Sequence, residues 1–515
     1  MTERIRSFSS PCSAGLLNNI DPLTQGANFP GSALRMVNYE PALEGGYRRI
    51  SGFTNDYGTL PGLIGEPTLG IAVYQEINDG IFGCRRPQSG NDYFHYWDAT
   101  NEQWVTPSTT GNPTMVGVEK VRFAKLRWGV PLLVLTDGVN PGATWDGTTY
   151  SQITDPLAPS APRFSEDFSS HLFLAGDPAE PNLVYFSAPF TATDFDPANG
   201  AGVINVGFEV TAIKSFRDQL YIFGSTQIKV LTGNTLADFV LDDVTKNVGT
   251  VSPDTVVEFN GDVIFLSADG LRPISGTDRI GDIELNVLSK PVQNIFETLY
   301  NNEDLTQMTT LVVGRKTQFR MFLNNSESFG IIGSIRRSGD GGQGFEYSQL
   351  VGISVSAGDS SYIGATEFVI HGDSVGRVFR QESGIDFNGS PVFSLYQTPY
   401  LYMDDPIIRK TIYDVNTYMR SEGEIRISLG LTYDYGDTNV LKPSDEVLGT
   451  QGVAAFWDSA TYDTTDIYDG NPSPLTRTPV RGSGRSVSLT YVTTDSQPSH
   501  TIQAYVVSYA LHDRR

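Results

Sequence analysis

The stretch from Val210 to Gly276 carries the pattern that most limits what this chain can fold into. Phe216 is followed by the polar turn Arg217-Asp218-Gln219 and the apolar run LYIF; Phe259 is followed by Asn260-Gly261-Asp262 and VIFL. Upstream, Phe168 leads through Ser169-Ser170-His171 into LFLA. The three phenylalanines lie 48 and 43 residues apart. A polar turn, a short apolar strand, a second turn and another β-rich strand, repeated at about 40–50 residues, are the mark of β-propeller blades.

The same unit recurs with variation from Gly70 to Gly384. IAVYQ and IFGC flank the turn Asn78-Asp79-Gly80, with YFHYW (93–97) as a partner strand. VRFAKLRWGVPLLVLTDG (121–138) precedes the phenylalanine-headed units, and MTTLVVGRKTQFRMFL (308–323) and SSYIGATEFVIHGDSVGRVFRQESG (360–384) follow them. This predicts six or seven blade-like units. One segment breaks the pattern. Ser289–Tyr300 places Val292, Ile295, Phe296, Leu299 and Tyr300 at helical spacing, with Ser289 to cap and Pro291 in the first turn. From about Pro391, strings such as EIRISLGLTYDYGD and HTIQAYVVSYAL alternate apolar and polar residues, as in a half-buried β-sandwich. The expected fold class is all-β: an N-terminal arm (1–68), a β-propeller (69–388), and a C-terminal sandwich-like domain (389–515), with one short amphipathic helix. The arm is polar and irregular, and is expected to order against a neighbouring subunit. The abundance of glycine (52), proline (29) and tyrosine (24) suits many turns and strands.

The net charge of −23 argues against a nucleic-acid or anionic-membrane binder. It reads either as a solubility charge or as a surface that must not adhere to a passing polyanion. Two cysteines, Cys12 and Cys84, give neither metal spacing nor a disulfide framework, so folding in a reducing compartment is expected. The N-terminus has no apolar core of a signal peptide, and no apolar stretch is long enough to span a membrane.

No motif carries catalysis. The five histidines, His95, His171, His371, His500 and His512, lie in no HxH or HExxH pattern, and packing is the expected role of His95 and His171. No nucleophile elbow, phosphate loop or dinucleotide fingerprint occurs. The glycine-rich GDGGQG (339–344) lacks the Lys-Ser/Thr ending of a phosphate loop. Ser338–Phe345 is like the Asp-box turn of sialidase propellers, but arginines and tyrosines are too plentiful to pick out the remainder of such a site. Asp194–Gly200 is like the start of a calcium loop, with its spacing off by one and no terminal glutamate. The aromatic-acid string at 454–470 (Trp457-Asp458, Tyr462-Asp463, Tyr468-Asp469) reads as a loop folded onto the sandwich or as a display for a partner. The sequence therefore names no catalytic, cofactor-binding or metal-ligating residue.

Two strings nonetheless resemble one family. NYEPALEGGYRRISGF (Asn38–Phe53) looks like the opening of many bacteriophage tail structural proteins. FGSTQIKVLTGNT (223–235) and VGTVSPDTVVEFNGDVIFLSADGLRPISG (248–276) resemble the tail nozzle proteins of short-tailed phages, also called tail hub or packaged-DNA stabilisation proteins. The order of parts is similar too: an arm, a propeller, a helix near position 290, and a β-rich part opening near Thr398-Pro399-Tyr400-Leu401. The resemblance implies a non-enzymatic homohexameric ring without cofactors. It would sit in the virion tail below portal and adaptor rings, contact tail fibre, tailspike or needle proteins, and be assembled in the bacterial host cytoplasm. It would retain packaged double-stranded DNA and conduct it without sequence-specific binding. The resemblance transfers no residue role. Channel-lining residues stay unassigned, with Asp242-Asp243 and the 301–306 loop as candidates. The competing expectation is a tail-associated propeller that binds or cleaves glycans for receptor recognition.

Overall fold

A computed structural model describes residues 5–108, 113–275, 287–324, 328–337, 343–403, 405–449 and 475–512. The strings GDGGQG and 454–470 fall wholly or largely outside the described residues.

Seven antiparallel sheets form the propeller. Blades 1 to 4 span 68–105, 122–152, 164–205 and 212–245 with four strands each, and blade 5 spans 257–273 with three. Blade 6 comprises 309–351. Blade 7 comprises 357–381 plus Phe53–Thr54 from the arm as its outermost strand. The innermost strand of blade 7, Ala357–Ile363, packs against that of blade 1, Thr68–Val73, which closes the ring. Apolar clusters fill the gaps between blades; Ala212, Tyr221, Phe223, Val263 and Phe265, for example, join blades 4 and 5.

The phenylalanine-headed units fold as their turn chemistry requires. Phe168 pairs with His171, Phe216 with Gln219, and Phe259 with Asp262, so each hairpin turns on two residues. Ser169 and Ser170, Arg217 and Asp218, and Asn260 and Gly261 all have positive φ. That is the condition for the type I′ turn, which matches the strand twist. Only Gly261 meets it without a Cβ penalty. Each phenylalanine ends the innermost strand of its blade.

The arm does not await a neighbouring subunit; it is woven through its own chain. Arg6–Pro11 pairs with the last strand, His500–Leu511. Arg35–Val37 lies between Gln343–Val351 of blade 6 and Ser394–Gln397, so a single nine-stranded sheet runs from the propeller into the C-terminal region. The hairpin of Tyr39–Pro41 and Tyr47–Arg49 joins the six-stranded sheet formed with Lys410–Ser421, Leu475–Gly484 and His500–Leu511. The two sheets form the expected sandwich, with Val415, Leu429, Leu489, Tyr491, Tyr505 and Val507 in its core.

Asn38–Phe53 supplies the seam. Asn38 is fully buried; its amide donates to the carbonyls of Val351 (3.0 Å) and Phe393 (2.7 Å), and its oxygen accepts from Val351 N at 3.0 Å. Glu40, 1% exposed, pairs with Arg48 (3.1 Å), Lys316 (2.6 Å) and Arg320 (3.3 Å). Arg320, also 1% exposed, further binds Glu382 and donates to Gln318 (2.8 Å) and Gln381 (2.9 Å). Burial by itself would raise the Glu382 carboxyl, but Arg320 and Lys316 outweigh it and pull it down to about 2. Arg49 donates to the carbonyls of Gln497, Ile385, Val392 and Asp495. Polarity that made the arm look unstructured is thus spent inside the fold, where buried polar groups must be paired.

The expected helix spans Gln293–Asn302 after the turn Lys290–Val292. Val292, Phe296 and Leu299 are buried, whereas Tyr300 is half exposed. Ser289 is no cap: it is fully buried, and its Oγ accepts from Leu271 N at 3.1 Å, which ties the helix to blade 5. Tertiary burial has claimed a side chain whose local preference was the helix end.

Candidate functional site

The seven innermost strands all line one axial cavity of about 530 Å³. Four cations and four acids reach it: Lys120, Arg122, Lys125 and Lys214, with Glu166, Asp167, Asp254 and Asp359.

The cations are consumed internally. Arg122 grips Asp254 through two bonds of 2.7 and 3.0 Å, and Lys120 adds a third contact at 2.8 Å. Burial by itself would raise the Asp254 carboxyl, but the two cations hold it well below the usual carboxylate range. Lys125 binds Asp359 at 2.6 Å, and Asp359 also accepts from Val73 N. Lys214 binds Glu166 at 2.8 Å; burial opposes its charge, yet the glutamate outweighs this and raises the lysine. These pairs cross between blades 2 and 5, 2 and 7, and 3 and 4, so the axis is stitched across the ring. Asp167 is the exception. It accepts from Trp128 Nε1 at 3.0 Å, forms no salt bridge among the described residues, and is raised by burial.

Asp167 and Ser215 also line a second cleft, of about 580 Å³, at one end of the axis. Its walls are the tight turns of blades 3, 4 and 5 together with Trp128. Arg217 is occupied there: its guanidinium donates to the Gly261 carbonyl at 2.5 Å and lies 4.8 Å from the centroid of the Phe216 ring. Asp218 and Glu258 are exposed in the cleft and carry no salt bridge among the described residues.

The groups singled out in the sequence lie elsewhere. Asp242 and Asp243 are on the outermost strand of blade 4, where Asp243 binds Lys246 (2.9 Å) and Lys229 (3.6 Å). In the 301–306 loop, Asp304 caps a short turn by accepting from Thr306 N. Asp194–Gly200 turns its oxygens inward: Asp194 accepts from Asp196 N and Asn199 Nδ2, and Asp196 from Ala198 N. Among the described residues no group of three or more His, Cys, Asp or Glu side chains could hold a metal ion. His95, His171, His371 and His500 are each at most 1% exposed and hydrogen-bond with Thr106, Ser187, Gln381 and Tyr39, respectively. Burial lowers His95 to about 4 and His371 and His500 to about 3. His512, at the surface, hydrogen-bonds with Thr411. Both cysteines are buried and free; burial pushes the Cys12 thiol up to about 12. No described helix is long and apolar enough to cross a membrane.

The axial residues were not legible in the sequence as a group. Their one signal is positional: Trp128, Asp167 and Ser215 sit at or next to the ends of inner strands, just before the turns that repeat.

No protein-family model and no curated protein matches the chain. The extracellular domain of a hybrid two component system from B. thetaiotaomicron is similar over 82% of this chain at 10% identity and a TM-score of 0.41; this chain spans about half (49%) of its length. The WD40 β-propeller domain of Doa1 is similar over 64% of this chain and 96% of its own, at 10% identity and a TM-score of 0.38. An exo-β-1,3-galactanase from Phanerochaete chrysosporium is similar over 89% of this chain and all of its own, at 10% identity and a TM-score of 0.27. Likenesses at this level carry no functional argument, and the seven-bladed architecture rests on the chain's own sheet topology.

Proposed function

We propose that this chain is a structural, non-enzymatic subunit of a short-tailed phage tail nozzle, a ring that retains packaged double-stranded DNA and conducts it on ejection. The observation that carries this reading is the seam. Asn38–Phe53, the string that resembles tail structural proteins, also ties propeller to sandwich: its hairpin joins the six-stranded sheet, Phe53 pairs with blade 7, and Asn38 bonds Val351 and Phe393. A subunit that contains DNA under pressure must transmit force between its parts without hinging. The small, ion-paired axial cavity is no passage for a duplex, so in this reading the duct lies between subunits. Its wall would be acidic and would not grip DNA, since adhesion comes from Lys and Arg releasing counterions. The ring is a homohexamer in the virion tail. It is assembled in the host cytoplasm and contacts portal and adaptor rings and fibre, tailspike or needle proteins. Particle mass and negative-stain images of the purified protein, alone and with candidate tail components, test this. A six-fold ring with a central hole supports it; a chain that stays monomeric with every candidate partner overturns it.

A further inference from the structure

Three Asn-Gly pairs occur in the chain: Asn199-Gly200, Asn260-Gly261 and Asn388-Gly389. The dipeptide is chemically labile, because a glycine nitrogen unshielded by a Cβ can close on the side-chain carbonyl carbon of the preceding asparagine. Whether it does depends on what holds the two groups in place, and the three pairs are held differently.

Asn199 is restrained at both reacting groups. Its Nδ2 donates to Asp194 Oδ2 at 2.7 Å, and the Gly200 amide donates to the Pro197 carbonyl at 3.2 Å. Asn388 sits in a two-residue turn: Phe387 pairs with Ser390, and Asn388 and Gly389 have φ of 49° and 89°. There the glycine nitrogen is pinned, donating to Asp386 Oδ1 at 2.8 Å. The Asn260 turn has the same build, with Phe259 paired to Asp262 and φ of 50° and 76°. It lacks the restraint. Asn260 and Gly261 are exposed, and neither the asparagine side chain nor the glycine amide has a hydrogen-bond partner among the described residues. Turning the one peptide plane between them converts a type I′ turn into a type II′ turn. The positive φ at Asn260 and the strand pairing survive that change, and glycine accepts either conformation. The rotation carries the Gly261 nitrogen round toward the Asn260 side chain.

We propose that Asn260 is a site of spontaneous deamidation. Base removes the proton of the Gly261 nitrogen, which bonds to Cγ of Asn260; the Cγ–Nδ2 bond breaks, and Nδ2 takes up a proton and leaves as ammonia. Water then opens the ring. Attack at Cγ leaves aspartate, and attack at the main-chain carbonyl leaves isoaspartate. Either product puts a new carboxylate beside Arg217, whose guanidinium already bonds the Gly261 carbonyl. Isoaspartate also lengthens the main chain by a methylene. That works against the two-residue hairpin that positions Phe259 against Phe319 and Phe345. The assignment does not depend on whether subunits form a ring.

Peptide mapping by mass spectrometry tests it, on the full chain fresh and after storage for weeks at body temperature in mildly alkaline buffer. The expected result is conversion of Asn260 severalfold faster than Asn199 or Asn388, with both aspartate and isoaspartate formed. Asp386→Ala should bring Asn388 up to the rate of Asn260, while Asn199 in that variant stays slow and reports an intact fold. The unaltered chain decides the proposal by itself where the variant does not fold. Asn260 that keeps its amide, or converts no faster than the other two, overturns the proposal. So does an Asn388 that stays slow in folded Asp386→Ala.

Discussion

The seam and the axis are both built from ion pairs, yet they do opposite things with them. At the seam, Glu40, Arg48, Lys316, Arg320 and Glu382 form a closed network with every acid in contact with at least two cations. At the axis the network closes in the middle and stops at the mouth, where Asp167, Asp218 and Glu258 are left over. Saturated buried charge specifies which strands may meet; removing one partner leaves a desolvated charge behind. Unsaturated charge in an open cleft stays solvated and contributes little to folding. How completely charges are paired, more than how many there are, separates the seam that locks the fold from the open mouth of the axis.

The contrast can be broken at four points. The largest effect is expected from Arg320→Leu, which leaves the buried Glu40 and Glu382 to share Lys316, with Arg48 also on Glu40. It should destabilise the chain by about 3–5 kcal/mol, read as a fall in melting temperature by calorimetry. A loss below about 1 kcal/mol, the scale of a surface pair, would mean that the seam does not lock the fold.

Acid is the next probe. His95, His371 and His500 are held neutral by burial, with folded values of about 4, 3 and 3 against 6.5 for the free side chain. Each therefore contributes full stability above pH 6.5 and loses it as pH falls toward the folded value. At pH 5 this amounts to about 2 kcal/mol per histidine. Melting temperature should be flat above pH 7 and fall steeply from about pH 6.5, before any carboxylate titrates. Glu382, lowered from 4.5 to about 2, adds a second loss only below pH 4.5. A profile unchanged down to pH 5 contradicts neutral burial of the histidines.

Asp254→Asn sharpens the comparison within the axis. It leaves Lys120 and Arg122 facing each other in the cavity and should cost about 1–3 kcal/mol, the range for hydrogen bonds to charged groups. The charges here line a cavity, not a packed seam, which keeps the loss below that of Arg320→Leu; equal losses in the same melting assay would erase the distinction between the regions. The smallest effect on stability belongs to the mouth. Glu258→Gln and Asp218→Asn should move melting by no more than about 0.5 kcal/mol, or raise it slightly. A clear destabilisation would reassign these acids to structure.

Much of the propeller was legible because its determinants are local. Two-residue turns such as Arg217-Asp218, flanked by alternating apolar residues, set strand length, register and repeat within a few positions, and the same logic located the helix at 293–302. The arm was misread for the converse reason. Asn38, Glu40 and Arg49 look like loop residues until their partners Phe393, Arg320 and Gln497, 355, 280 and 448 residues away, are in place. Ser289 was given a capping role that its contact with Leu271 overrides.

By itself, then, the sequence determined an all-β chain of repeated blades ending in a sandwich, because turn chemistry and strand alternation act over a few neighbouring residues. Only the tertiary structure decided that the blades number seven, that the arm is internal, and that Trp128, Asp167 and Glu258 share one cleft. Those outcomes depend on ring closure and on contacts between distant segments, and a side chain's worth in such a contact is set by burial and pairing rather than by its neighbours in sequence.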